Sequence, residues 1–323
     1  MKMKTILTSL AIAAAALMPA WAHAADPFPS KPLRLIVPFP PGGATDSILR
    51  LVAQKLSERV GQPVVVDNRP GGGTIIATDA GAKAVPDGHT LLGVTAAFAV
   101  NTSLYKKLPY DVEKDFAPVT QVSFAPNVLL VNPSLPVNTP QDLLNYAKAN
   151  PKKVNYGSAG NGTSNHLAGE MLRTLAGVDL VHVPYKGDAA SITDLIGGQI
   201  QMLFIGLAPV AQHVASGKLK ALAVTSAKPS SLVPGLPALA ATVPGFESSV
   251  WNGIVVPAKT PPEIVAQLQA HIARILSEPE VREKIRAMGF EGVGSSTAEF
   301  RDFLSRESKQ SAKVVQDAGV KID

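Results

Sequence analysis

The chain of 323 residues contains no cysteine. That absence excludes a disulfide scaffold, a thiolate metal centre and a thiol nucleophile, and it leaves the redox compartment open because exported proteins also manage without disulfides. No cluster of Lys and Arg with interleaved aromatics is present, so a nucleic-acid partner is not expected. Tandem repeats and low-complexity tracts are missing too. So are the Gly-Lys-Ser/Thr ending of a phosphate loop and the G-x-G-x-x-G spacing of a dinucleotide fold. After the first two dozen residues no apolar stretch approaches the roughly 20 residues of a spanning helix.

The N-terminus reads as a secretory signal peptide over residues 1–24. Lys2 and Lys4 make the basic start, residues 6–18 the apolar stretch, and Ala22-His23-Ala24 the cleavage site, which predicts export to the periplasm. With no cysteine near that site, lipid anchoring is excluded. Loss of Lys2 and Lys4 lowers the formal charge from +5 to +3, a mild bias toward anions.

The mature length suits two cores, and strand and helix signals alternate. Residues 33–37 form an apolar run, followed by Ile48, Leu49, Val52, Ala53, Leu56 and Val60 at helical spacing, with Gly61 as the stop. Strands follow at 64–66 and 90–94. A second series begins near Thr139-Pro140, with strands at 154–156, 180–183, 200–205 and 221–225. The C-terminal part is helical: Pro261-Pro262 opens one helix, and Ser296-Thr297-Ala298-Glu299 is a capping box for another. These last helices have no strands of their own to cover, so they are expected to return to the first unit. The expected architecture is α/β and two-lobed, each lobe a largely parallel sheet flanked by helices. Lobe 1 is discontinuous (25–124 and 251–323), lobe 2 spans 125–250, and two crossings form a hinge that can close over a ligand.

Two glycine-rich turns each join a strand to a helix, one at residues 37–46 and one at 156–166. Such a turn leaves backbone N–H groups unpaired at the positive end of a helix dipole and can hold a carboxylate. Pro40, Gly42, Gly43, Ala44, Thr45 and Asp46 belong to the first turn. Ser158, Ala159, Gly160, Gly162, Thr163, Ser164 and His166 belong to the second. Thr95, Phe98, Tyr185, Lys186, Phe204 and Ile205 follow or end other strands at their carboxyl ends, where ligands of α/β sheets bind.

These motifs have a familiar order. The run Pro32-Leu33-Arg34-Leu35-Ile36-Val37-Pro38-Phe39-Pro40-Pro41-Gly42-Gly43 with Asp46, Val66-Asp67-Asn68-Arg69-Pro70-Gly71-Gly72-Gly73, Gly157-Ser158-Ala159-Gly160-Asn161-Gly162-Thr163 and His166-Leu167 with Glu170 come first. Val183-Pro184-Tyr185-Lys186-Gly187, Asp194-Leu195-Ile196-Gly197-Gly198 and Trp251-Asn252-Gly253 follow. Together they resemble the Bug family, the solute receptors of tripartite tricarboxylate transporters, over essentially the whole mature chain. The resemblance implies a monomeric periplasmic clamshell that captures a small di-, tri- or aromatic carboxylate without a cofactor. It also implies a handover to a membrane permease of one large and one small subunit. The two turns would grip the ligand from opposite lobes, with ordered waters bridging its carboxylate. Where the family often has Asp after Phe204 this chain has Ile205, and the acidic residue usual before Gly245 is missing. The carboxylate grip therefore carries over and an amino-acid selectivity does not.

Other readings of the same residues are weaker. Ser158 with His166 as base suggests an exported serine hydrolase, but the first glycine of Gly157-Ser158-Ala159-Gly160 stands one position too close for a nucleophile elbow. His166 and Glu170 share a helix face at i, i+4, yet no third ligand accompanies them, and no metal is expected. A sensory receptor with the same pocket and a signalling partner is the remaining alternative.

Overall fold

The computed structural model describes residues 28–319, so the expected signal peptide lies outside the described residues. Strands β1 (Leu33–Val37), β2 (Val64–Asn68), β3 (Thr90–Val94), β4 (Phe116–Pro126), β10 (Ser249–Pro257) and β11 (Glu291–Gly292) form one sheet in the order β11-β4-β10-β3-β1-β2. Strands β5 (Val128–Val131), β6 (Val154–Ser158), β7 (Leu180–Pro184), β8 (Met202–Ile205) and β9 (Lys220–Val224) form the other, in the order β7-β6-β8-β5-β9. Each sheet is the centre of one lobe of an α/β clamshell.

In each sheet the strand–helix–strand units pair in parallel: β1 with β2 and β3, and β6 with β7 and β8. The strands that arrive from the other lobe run the other way. Strand β10 is antiparallel to β3 and β4, and β5 is antiparallel to β8 and β9. A strand arriving from the neighbouring lobe enters from the hinge end, opposite to strands fed by local helices, and this makes both sheets mixed.

The helices are α1 (Ala44–Val60), α2 (Ile75–Ala82), α3 (Ala96–Leu104), α4 (Pro140–Ala149), α5 (Ser164–Ala176), α6 (Asp188–Ile196), α7 (Ala211–Ala215), α8 (Pro262–Ser277), α9 (Pro279–Ala287) and α10 (Thr297–Ala318). The Ser296 capping box is present, with the Ser296 side chain accepting from Glu299 N–H and Glu299 accepting from Ser296 N–H. As expected, α8 packs on β4 and α1 of the first sheet's lobe. Helix α10 does more: it covers α3 and β4 and also reaches α5 of the other lobe. Its docking depends on Gly253 in β10, where an added Cβ would stand 2.1 Å from Cζ of the fully buried Phe300.

The crossings lie side by side. Strands β4 and β5 are separated only by Asn127, whose backbone N–H donates to Thr225 Oγ1 at 2.7 Å and whose carbonyl accepts from Thr225 N–H at 2.9 Å. The Thr225 carbonyl in turn accepts from Ser248 N–H at 3.0 Å.

Candidate functional site

A cavity of about 380 Å³ opens between the sheets beside this hinge. From the first lobe it is lined by the turn after β1 (Phe39, Pro40, Pro41, Gly42, Gly43, Ala44 and Thr45), by Thr95 and Ala96 after β3, and by Val250, Trp251 and Phe290. From the second lobe come Ala159, Thr163, Ser164 and Asn165 after β6, Lys186, Gly187, Asp188 and Ala189 after β7, and Ile205, Gly206 and Pro209 after β8. Asn127 contributes from the crossing.

Four helices begin at this cavity: α1 and α3 from one lobe, α5 and α6 from the other. The opening N–H groups of a helix have no partner four residues back, and its dipole adds about half a positive charge there. The site is therefore rich in donors and favours an anion.

The first turn is held from behind. Gly42, at φ 90°, donates its N–H to Asp46 Oδ2 at 3.0 Å. Asp46 Oδ1 accepts from Arg50 Nη2 and Asn68 Nδ2, both at 2.8 Å, and Asn68 Nδ2 also donates to the Phe39 carbonyl at 2.9 Å. Asp46 is only 3% exposed and does not line the cavity. Burial pushes its carboxyl up, but the hydrogen bonds from Arg50, Asn68 and Gly42 outweigh this and hold it below the usual range. A role for Asp46 in touching ligand or its waters gives way to one of shaping the turn. Asn68 shares that task and was not singled out in the sequence.

The second turn is organised by Asn165, also unforeseen. Its Oδ1 accepts from Ala159 N–H at 3.2 Å and from the Thr163 hydroxyl, and its Nδ2 donates to Asp188 Oδ1 at 3.0 Å. The Thr163 hydroxyl, bonded to Asn165 and to the Gly160 carbonyl at 2.6 Å, is committed inside the turn. Ser164, in contrast, lines the cavity as the first residue of α5.

Several expected site residues face the core instead. Ser158 is fully buried and hydrogen-bonded through Oγ to His182 Nε2 at 2.7 Å. His166 is 2% exposed, and its Nδ1 accepts from Gly162 N–H at 3.1 Å. Its ring stacks on His182 with centroids 4.1 Å apart, and His182 stacks on Tyr156 at 4.9 Å. Glu170 is occupied by the Tyr156 hydroxyl at 2.5 Å and by Arg173 at 2.8 Å, so His166 and Glu170, both buried, are each held by other partners. Phe98 is buried against Phe116, and Phe204 stacks on Phe246. The Tyr185 hydroxyl donates to Asp194 at 2.6 Å. Gly160 and Gly162 shape the second turn without lining the cavity, and an added Cβ at Gly162 would stand 3.1 Å from Val100 and Leu104 of the opposite lobe.

The Ser158–His182 pair is the nearest approach to a nucleophile and base. It is closed off from the cavity, no carboxylate orients His182 among the described residues, and burial drives the His182 pKa down to about 3, too low for an effective base near neutrality. The cavity itself contains two ionisable side chains, Lys186 and Asp188. Asp188 is open to the cleft but walled by protein elsewhere; this desolvation pushes its carboxyl up against the lowering effect of the Asn165 hydrogen bond.

No helix among the described residues is long and apolar enough to cross a membrane. The sequence model of the tripartite tricarboxylate transporter family receptor matches residues 48–320. The chain is 37% identical to Protein BugT of Bordetella pertussis over 301 residues, covering 92% of each chain. Among solved structures it is similar to R. palustris Rpa4515 with adipate (36% identity, TM-score 0.85, 91% of this chain and 100% of that one). It is also similar to MatC from Rhodopseudomonas palustris with bound malate (28% identity, TM-score 0.81, 89% and 100%). Long matches to receptors and a two-lobed fold with a donor-rich cavity agree: the chain is a solute-binding receptor, not an enzyme, and belongs to the tripartite tricarboxylate transporter receptor family.

Proposed function

We propose that the mature protein captures a small organic carboxylate in the periplasm by closing its two lobes and delivers it to a tripartite permease of one large and one small membrane subunit. The lobes are residues 25–124 with 251–323, and residues 125–250, and the receptor acts as a monomer. The observation that carries this reading is the convergence of four helix N-termini, two from each lobe, on one cavity. The adipate and malate held by Rpa4515 and MatC support a carboxylate ligand here.

Backbone N–H groups at the starts of α1 and α5 receive the carboxylate, from Gly43, Ala44 and Thr45 on one side and Ser164 on the other, while Gly42, Ala159 and Thr163, whose N–H groups are committed to Asp46, Asn165 and the Gly160 carbonyl, line the cavity and shape the two turns. Thr95, Lys186 and Ile205 complete the wall. Neutral donors hold an anion reversibly, and closure follows because only a ligand that bridges both turns favours the closed state. Ile205 stands where an acid could hold an ammonium group; Asp188 restores an acid to the cleft by another route.

The test is a titration of ligand-free mature protein with aliphatic and aromatic carboxylates, following Trp251 fluorescence and Tm. Trp251 is the single tryptophan after residue 24 and lines the cavity. Ligand at 100 times its Kd stabilises by about 2.7 kcal/mol, and Tm rises by several degrees. Absence of a saturable response across the panel, once co-purified ligand has been excluded, refutes the proposal.

A further inference from the structure

The donors of the cavity are many, but its side chains also present acceptors that a carboxylate cannot satisfy. Asn127 is fully buried, lines the cavity, and has neither Nδ2 nor Oδ1 hydrogen-bonded. Its backbone is fixed by Thr225 on both sides, so the side chain cannot leave with its main chain. A buried amide without partners is a costly arrangement, and a ligand group that supplies them recovers that cost on binding. Asp188 is the second acceptor. Asn165 Nδ2 occupies its Oδ1, and no side chain or backbone N–H among the described residues donates to its Oδ2.

Resting on the receptor reading above, we infer that Asp188 and Asn127 select carboxylates that carry an additional hydrogen-bond donor, a hydroxyl or an ammonium group, and discriminate against the unsubstituted acids. An unsubstituted dicarboxylate brings only acceptors. One of its carboxylates is taken by the helix N-termini; the rest of the molecule leaves Asn127 Oδ1 unpaired and places negative charge in a cavity that already holds the Asp188 carboxyl. Lys186 offsets part of that charge, but its ammonium donates to neither Asn127 Oδ1 nor Asp188 Oδ2 among the described residues. A hydroxyl or ammonium donates to Asp188 Oδ2 or Asn127 Oδ1, and a hydroxyl also accepts from Asn127 Nδ2. A site built to bond a donor rejects the analogue that lacks it because its own buried polar groups are then left unpaired.

The experiment compares matched skeletons by calorimetry: succinate, malate and aspartate; propionate, lactate and alanine; phenylacetate, mandelate and phenylglycine. In the series that binds, the hydroxy or amino member is expected to bind at least about tenfold more tightly than its parent, the size of a charge-assisted hydrogen bond. In Asp188→Asn, which stands at an open position and removes the charge, the advantage is expected to fall severalfold while the unsubstituted parent gains. A parent acid that binds wild-type protein as tightly as its substituted partners, or a preference that survives unchanged in Asp188→Asn, overturns the inference and leaves the receptor reading standing. If no member of any series binds, both are overturned. The wild-type comparison decides the matter on its own should the variant fail to fold, and the hydroxy and amino arms separate the two donors.

Discussion

The stacked histidines behind the second turn make the protein's stability depend on acid in a way that can be worked out. His166 is buried and its pKa falls to about 4; His182, partly buried and repelled by His166, falls to about 3, both from 6.5. Both stay neutral in the folded protein near neutrality, and His166 Nδ1 must stay unprotonated to accept from Gly162. In the unfolded chain they take up protons as pH drops through about 6.5. Below that value the unfolded state binds more protons than the folded one, so stability is complete above about pH 6.5 and is lost as pH falls toward the folded values. Between pH 7 and pH 5 the loss is about 2 kcal/mol for His166 and somewhat less for the more exposed His182. The pair together lowers Tm on the order of 10 °C. Asp188 and Glu307, whose carboxyls are pushed up by burial, act with the opposite sign as pH falls through their raised values, and His271, lowered by burial and by Arg59 and Arg274, adds to the histidine effect. Calorimetric scans at half-unit steps from pH 7 to 5 on wild type, His166→Gln, His182→Gln and the double variant isolate the pair. The slope of Tm against pH should shrink in each single variant and most in the double. A double variant that keeps the wild-type slope refutes the argument, whatever its Tm at pH 7.

Two further substitutions probe the frame. Gly253→Ala drives a Cβ against the Phe300 ring, and overpacking of this kind costs about 1–3 kcal/mol; thermal unfolding should show a Tm lower by several degrees, and an unchanged Tm would mean that α10 shifts freely. Asp46→Ala removes the acceptor that fixes Gly42 and orients Arg50 and Asn68 without touching the cavity. Carboxylate affinity should drop about tenfold through lost preorganisation, and an isothermal titration with unchanged Kd would show that the turn holds its shape alone.

The strand–helix alternation and the Ser296 capping box could be read from residue spacing because each is a local pattern. The antiparallel course of β5 and β10 could not, since it follows from the direction in which a strand arrives from the other lobe. The reach of α10 to α5 is likewise a tertiary matter. Within the site the same division holds at the scale of single residues. Turn residues such as Gly42, Ala44 and Ser164 are placed by backbone geometry, which sequence shows. One step into a strand or two into a helix, the side chain's direction decides. Ile205 faces the cavity and its neighbour Phe204 packs on Phe246, as a period of two requires, and Thr95 lines the cleft while Phe98, a turn into α3, is core. Asn165 and Asp188 stand one and two positions beyond the candidate residues Ser164 and Lys186. Asn127 gave no signal except its place at the crossing.

The same geometry explains why closure should wait for an anion. The starts of α1 and α3 face those of α5 and α6 across one cavity, and each helix end carries about half an elementary charge of positive sign. With nothing between them these ends repel, which favours separation of the lobes. A carboxylate placed between them attracts both sets and reverses the sign of the interaction across the cleft. The ligand thus has different affinities for the open and closed forms, and that difference is what shifts a two-state hinge. Fixed lysines in the two turns would bind the anion as well, but they would be screened and mobile when the cleft is open, whereas helix ends are held in place by the sheets behind them. On the proposed reading, the short neutral side chains at the turns leave these helix ends to couple ligand capture to closure.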